Sequence, residues 1–429
     1  MTCDSAPRAE SGILVASAMS TSLTSFTKGI TQRFPSGVWL MMGLDMLLTI
    51  GWSVASPFLA LYLHNARAMS MSAVGAIFLA GGLCTGATNL IGGMLSDRVG
   101  RRRLMLSISV ISTLTSTAMA VLIGLSGPVW LIILVYIASR SINGTIGPTM
   151  SATVADLSRS DRLAESYAMV RVGSNVGFAI GPALGGFLMG YVSYGWLFSI
   201  PAIITVAVAL LVYLFQRESF RGSRSRVDLR TTLAVASDRP FIIFAVVSIL
   251  LVLSMGHLGS TLSVFTVDRL RFSTAEYGLL LTTNGLFVVL FQYPVTRLAT
   301  RMSHANGLIL GSLLYVVGYG SLGWFKTFEM AMLSIVIITS GEVTLAPISS
   351  AVVAESAPPD KRGRYMGFFT LSQTLGQSMA PLFGGVLLDA FPSEPRLLWG
   401  IIASVGLVAA AGFAMWGRGV AKKRRPAVQ

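Results

Sequence analysis

Residues 177–186 read Gly-Phe-Ala-Ile-Gly-Pro-Ala-Leu-Gly-Gly. Four glycines and a proline in ten residues would unravel a helix in water. A membrane helix carries them, because small residues let backbones approach and packed neighbours re-satisfy freed carbonyls. The run therefore marks a kinkable membrane helix in tight contact with another. A partial echo, Gly-Gln-Ser-Met-Ala-Pro-Leu-Phe-Gly-Gly at 376–385, points to a duplicated chain.

The rest of the sequence agrees with a membrane setting. Of 429 residues 53% are apolar and 12% charged, and the mean hydropathy is +0.71. Soluble domains do not have that balance. Two cysteines, Cys3 and Cys84, exclude a disulfide framework, and neither sits in a metal-ligand cluster. Apolar segments long enough to cross a bilayer of about 30 Å recur along the chain. Twelve are expected, at 37–63, 72–95, 104–124, 129–154, 165–189, 194–215, 240–266, 275–297, 305–325, 329–354, 364–388 and 396–417. Short links such as Ser126-Gly127-Pro128 read as turns between antiparallel helices.

Charge sets the orientation. With both termini cytoplasmic, 25 of the 32 Lys and Arg fall on that side, five on the other (Arg67, Arg269, Arg271, Lys326, Arg396), and Arg140 and Arg171 lie within the membrane. That is the positive-inside pattern. It predicts a multi-pass protein of the cell inner (plasma) membrane. The basic runs lie against anionic lipid, which accounts for the net charge of +14 without nucleic acid. The expected domains are a disordered cytoplasmic tail (1–35), a six-helix bundle (36–216), a basic cytoplasmic linker (217–239), a second six-helix bundle (240–417) and a basic tail (418–429). The fold class is thus all-α, twelve transmembrane helices in two pseudo-symmetric bundles.

The halves are related in sequence. An offset of 199 residues aligns 148–190 with 347–389 without a gap, and 11 of 43 positions are identical. Pro148 falls on Pro347, Gly177 on Gly376, Pro182 on Pro381, and Gly185-Gly186 on Gly384-Gly385. A second register, offset by 203, puts Gly75 on Gly278 and Arg98 on Arg301. Repeats of this kind build two similar bundles with a site between them near the midplane, which works by rocking one bundle on the other.

A family resemblance follows from three stretches. Gly93-Met-Leu-Ser-Asp97-Arg98-Val-Gly100-Arg101-Arg102 resembles the Gly-x-Leu-x-Asp-Arg-x-Gly-Arg-Arg loop between the second and third helices of the major facilitator superfamily. Arg140-Ser-Ile-Asn143-Gly144 is similar to its Arg-x-x-Gln-Gly motif in helix 4, with Asn for Gln. The opening run, with Gly177, Gly181, Pro182, Gly185 and Gly186, resembles the helix-5 antiporter motif of its drug/proton exchangers. The resemblance covers the chain from about residue 36. It implies a monomeric secondary transporter in the lipid bilayer, without a cofactor or metal, that exchanges a small molecule for protons. It also implies that Asp97 meets the N-terminus of helix 11, near Gly363, as a conformational gate. A carboxylate at a helix N-terminus gains up to about 2 kcal/mol, enough to hold one state and release it in another. The second half keeps Thr300 where the first has Asp97.

Buried charge carries the expected chemistry, because an ionisable group at membrane depth should face a cavity or a partner. Asp45 in helix 1 and Arg171 in helix 5 lie roughly 12 Å and 9 Å deep by helix rise, which allows them to pair. Arg140 and Glu342 lie near mid-membrane. The 199 offset makes Asn143 the repeat-mate of Glu342. Burial and a nearby guanidinium push a carboxylate's proton affinity in opposite directions, so a carboxylate whose surroundings alternate can load and unload a proton. Asp45 and Glu342 are the expected titrating groups, with Arg171 or Arg140 modulating them. Static ion pairs are the competing reading. His257 in helix 7 and Asn284 in helix 8 are further polar positions, and a lone helical His more often packs than relays protons.

Three function classes compete for these residues. The strongest is proton-coupled efflux of a lipophilic or cationic compound or metabolite. The second is an importer on the same fold. A membrane enzyme or silent receptor is disfavoured, since no nucleotide-binding loop, metal-ligand spacing or nucleophile elbow occurs in a usable context. One test follows from the charge pattern alone. With Cys3 and Cys84 replaced by Ser, a Ser225→Cys variant should react with an impermeant maleimide only after the membrane is opened. Labelling of intact cells would invert the topology.

Overall fold

The computed structural model describes residues 34–219, 234–299, 301–358 and 361–424. Most of the N-terminal tail, the centre of the linker, Thr300, Asp360 and Arg425 lie outside the described residues. The described chain is helical throughout, with twelve principal segments where twelve spans are expected. In the first half they are α1 (Ser36–Ala66), α2 (Met71–Val99), α3 (Arg101–Gly124), α4 (Val129–Leu157), α5 (Leu163–Leu188) and α6 (Tyr194–Phe215). In the second they are α7 (Arg239–Met255, resumed at Thr261–Val264 and Phe265–Arg269), α8 (Thr274–Ala299), α9 (His304–Leu322), α10 (Phe328–Ser356), α11 (Arg362–Ala390) and α12 (Pro395–Arg424). Among the described residues nine are long and apolar enough to cross a membrane by length and composition. The exceptions are α5, α7 and α11. The first and last carry the glycine-rich runs, and α7 is cut short by a break.

The breaks follow from identifiable residues. In α4, Pro148 has no N–H for the carbonyl of Gly144, and the helix is interrupted at Gly144 and Thr145. Pro347 should do the same to α10, yet α10 runs unbroken from Phe328 to Ser356. There the freed Val343 carbonyl accepts from the Gln292 side chain at 3.1 Å. In α7 the non-helical stretch after Met255 is held by two phenols. Tyr319 donates to the Met255 carbonyl at 2.6 Å and Tyr277 to that of Leu258 at 2.8 Å. Irregular backbone at membrane depth requires such partners.

The glycine run packs α5 on both sides. Gly173, Gly177, Gly181 and Gly185 recur every four residues, hence on one face, and meet α1 at Met42, Met46, Ser53 and Val54. Pro182 and Gly186 face the other half and meet Gly278 and Thr274 of α8. The repeat does the same. A Cβ on Gly75 of α2 would lie 2.5 Å from the Pro381 carbonyl oxygen of α11, and Gly385 abuts Met71 and Ser72. The two bundles therefore touch along α2–α11 and α5–α8, at crossings related by the internal repeat.

These crossings sit toward the end that bears the α1–α2 and α7–α8 connections, the end expected from the charge pattern to be the outer one. Polar contacts clasp the same end. Asp389, at the end of α11, accepts from the first backbone N–H groups of α2, Met71 at 3.0 Å and Ser72 at 2.8 Å. Asn65 donates to Asp268 across the halves at 2.8 Å. At the inner end, Gly93 of α2 and Gly363 of α11 have open space where a Cβ would stand.

A Gly278→Val substitution should therefore strain outer closure, by the about 1–3 kcal/mol typical of overpacking. In a Ser56→Cys reporter lacking Cys3 and Cys84, it should speed alkylation by an impermeant reagent applied from outside. An unchanged rate would mean that the crossing does not hold the gate.

Candidate functional site

A cavity of about 470 Å³ lies between the bundles. The α7 break, Met255 to Ser260, forms part of its wall, so the interruption that costs α7 its regularity opens the space. Aromatic rings line much of the rest. Trp52 and Phe178 stack with centroids 6.3 Å apart, and Phe78 and Tyr136 at 5.5 Å. Such a lining suits amphipathic, ring-bearing ligands. Arg140 and Glu342 supply its formal charges, one from each half.

Glu342 is anchored in a short chain of polar groups. Asn284 on α8 donates to its Oε2 at 3.0 Å and to Thr339 Oγ1 at 2.9 Å. Thr339 in turn donates to the Ile335 carbonyl at 2.7 Å. Asn284 is itself buried, so the amide is pre-oriented toward the carboxylate. Tyr315 stands close by on the same wall.

Arg140 is placed by the α2–α4 crossing. Gly144 abuts Thr85 and Thr88, and Thr85 Oγ1 donates to the Arg140 carbonyl at 3.1 Å. The side chain then runs beside Gly81 and Tyr136 into the cavity. Its Nε is buried without a hydrogen-bond partner.

The other expected site residues fall elsewhere. Asp45 lies one turn from the cavity-lining Thr49 and faces Ser174, which also lines the cavity. Among the described residues no ion pair joins it to Arg171. Gly173 and Gly177 turn their face of α5 to α1, and Arg171, two residues before Gly173, points well away from that face. Arg171 is exposed and acts electrostatically on Glu342. Asn143 also turns from the position that its repeat-mate occupies. It accepts from Ser112 of α3 at 3.0 Å and donates to the Ser139 carbonyl at 2.8 Å. His257 is fully buried among Tyr319, Phe383 and Trp399, with Nδ1 3.1 Å from Thr261 Oγ1. Its Nε2 is buried without a hydrogen-bond partner among the described residues.

The α2–α3 loop forms a second polar centre, at the inner end. Gly100 has φ +96°, a conformation that favours glycine, and lets α3 start at once. Glu218, just past α6, accepts from the Arg101 backbone N–H at 2.8 Å and caps α3. The Arg101 side chain joins Asp97, Ser96 and Asp156, with Asp156 Oδ2 at 3.1 Å. Arg102 donates to the Tyr213 carbonyl at 2.7 Å. Arg98 lies in the last turn of α2, and Gly93 keeps the approach to the loop open. Among the described residues Asp97 makes no hydrogen bond or ion pair with α11. Arg101 takes that carboxylate, and a carboxylate that joins the halves at a helix N-terminus is Asp389, on the first N–H groups of α2. Asp156 and Glu218 escaped the sequence reading. Asp156 carried one signal, since the 199 offset pairs it with the acidic Glu355.

Comparison with known proteins agrees with this architecture. The family model described as Major Facilitator Superfamily matches residues 41–275 and 244–428. A tetracycline resistance protein, class C, from Escherichia coli is 28% identical over 324 residues, 74% of this chain and 80% of that one. A Na(+), Li(+), K(+)/H(+) antiporter from Planococcus maritimus is 26% identical over 379 residues, 80% and 87% of the two chains. The crystal structure of the nucleoside transporter NupG superposes with a TM-score of 0.74 at 14% identity, covering 89% of this chain and 99% of that one.

Arg101→Ala should remove the centre of this network and leave Asp97 and Asp156 without their guanidinium, with Asp156 keeping only the Ser219 hydroxyl among the described residues. Both are partly screened by solvent, so the loss should be about 1–3 kcal/mol. A thermal melt in detergent that matches wild type would show the network to be incidental.

Proposed function

The chain belongs to the major facilitator superfamily, and on that premise we propose that it exports amphipathic, ring-bearing small molecules in exchange for protons. One observation carries the reading. Glu342, an acid at membrane depth, stands on the wall of an aromatic cavity between the two halves. A structural ion pair would be sealed from ligand. This carboxylate instead shares its space with whatever enters, and its one hydrogen-bond donor among the described residues is the Asn284 amide. A charged carboxylate attracts Asn284 and the Arg171 field, whereas a protonated one places a neutral hydroxyl in the cavity. Loading the proton from outside and losing it inside then couples the proton to the direction in which the cavity opens. Asp45, one turn away behind Ser174, is the second acid of this reading, and Arg171 the cation that tunes Glu342.

Export over import is supported by the helix-5 glycine run and by relatives named for drug resistance and for cation/proton exchange. The cell inner membrane with both termini cytoplasmic, the domain limits 36–216 and 240–417, and a single-copy working unit complete the proposal.

In everted vesicles acidified by respiration, an exported substrate should discharge the pH gradient and accumulate inside. A protonophore should abolish that accumulation. Glu342→Gln should keep the Asn284 contact and lose gradient-driven accumulation. Wild-type accumulation that survives the protonophore, or full activity in Glu342→Gln, would refute the coupling. Accumulation in whole cells instead of vesicles would establish the importer.

A further inference from the structure

The cavity's two charges are not equally satisfied. Glu342 has the Asn284 amide and the field of Arg171. Arg140 has neither a carboxylate nor a hydrogen-bond acceptor on its guanidinium among the described residues, and its Nε is shut off from solvent without a partner. The Thr85 bond reaches only its backbone. A charge at membrane depth is costly unless paired, and a buried donor left unmade carries its full desolvation penalty. A guanidinium is a planar fork of donors that matches an acidic oxygen pair. Beside it Tyr136 stacks on Phe78, so an apolar face adjoins the fork.

Resting on the transport reading of this cavity, we propose that the substrate carries an acidic group, a carboxylate or an equivalent enolate, which docks on Arg140. The class is an aromatic organic acid or zwitterion rather than a simple lipophilic cation. The ring system lies along Phe78 and Tyr136, and the acidic oxygens occupy the guanidinium. A zwitterion's cationic end points across the cavity to Glu342, on the other half. The ligand then bridges the two bundles, which ties its presence to their approach. This narrows the lipophilic or cationic cargo expected from the sequence, because that expectation counted the acids and treated Arg140 as their modulator.

The test is equilibrium binding to the purified full-length protein in detergent, read by ligand fluorescence and needing no gradient. The probes are ciprofloxacin (a zwitterion), its methyl ester (the same ring and amine without the acid), nalidixic acid (an acid without the amine) and ethidium (a lipophilic cation). Both acids should bind about tenfold or more tightly than the ester and ethidium, the scale of a charge-assisted contact. Arg140→Gln should erase that preference, so that the acids bind no more tightly than the ester. Arg140→Lys, which keeps the charge and loses the fork, should retain part of it. A thermal melt checks that each variant is folded. Nalidixic acid binding no better than ethidium would limit the class to zwitterions if ciprofloxacin still outbinds its ester, and would overturn the proposal if it does not. Unchanged acid binding in folded Arg140→Gln, or no acid binding by about 1 mM, the weak end of specific recognition, would also overturn it. Acid-selective binding without proton-driven transport would leave this site standing and remove the export reading instead.

Discussion

The structure depends on how closely two pairs of backbones can approach. At Gly75 against Pro381 and at Gly278 against Pro182, helices from opposite halves cross with no side chain between them on the glycine side. Lipid tails are as apolar as leucine, so no hydrophobic gain drives such helices together. Dispersion and fitted shape must do it, and both demand small residues.

Pseudo-symmetry holds at these crossings and fails where chemistry is expected. Pro148 breaks α4 next to Arg140, whereas Gln292 rescues α10 across Pro347, close to Glu342. Asn143 bonds within its own half, whereas Glu342 faces the cavity. Gly181 on α5 becomes Ala380 on α11, and Gly256 of α7 makes room for that methyl. A duplicated scaffold thus presents a cation from one half and an acid from the other. The Asn284 amide holds Glu342, whereas Thr85 reaches only the backbone of Arg140.

Much of the scaffold was legible in the sequence, because bilayer thickness, the positive-inside bias and an ungapped repeat each constrain the chain independently. The α7 break was not, since nothing in the apolar run through Gly256 distinguishes a packed glycine from a break. Arg140, Asn284 and Glu342 were legible as polar residues at depth, and they do share one cavity. Depth alone misled for Asp45 and Arg171. It gives the height of a side chain but not its direction, and the glycine face of α5 decides that direction. Repeat alignment likewise paired Asn143 with Glu342 without showing that Ser112 draws the amide aside. The expected link from Asp97 to α11 does not appear among the described residues, where Arg101 takes the carboxylate. The aromatic walls, Trp52 with Phe178 and Phe78 with Tyr136, could not be picked out among 22 Phe, 11 Tyr and 7 Trp.

The central claim is that one cavity is exposed to the two faces in turn by rocking about these crossings. Paired spin-label distances address it most directly, at Ser126 with Lys326 for the outer end and at Arg159 with Lys361 for the inner end, in lipid nanodiscs across pH and with ligand. Rocking predicts that the two distances change in opposite senses, the outer lengthening as the inner shortens. Distances that stay fixed under every condition, or that lengthen and shorten together, would contradict it.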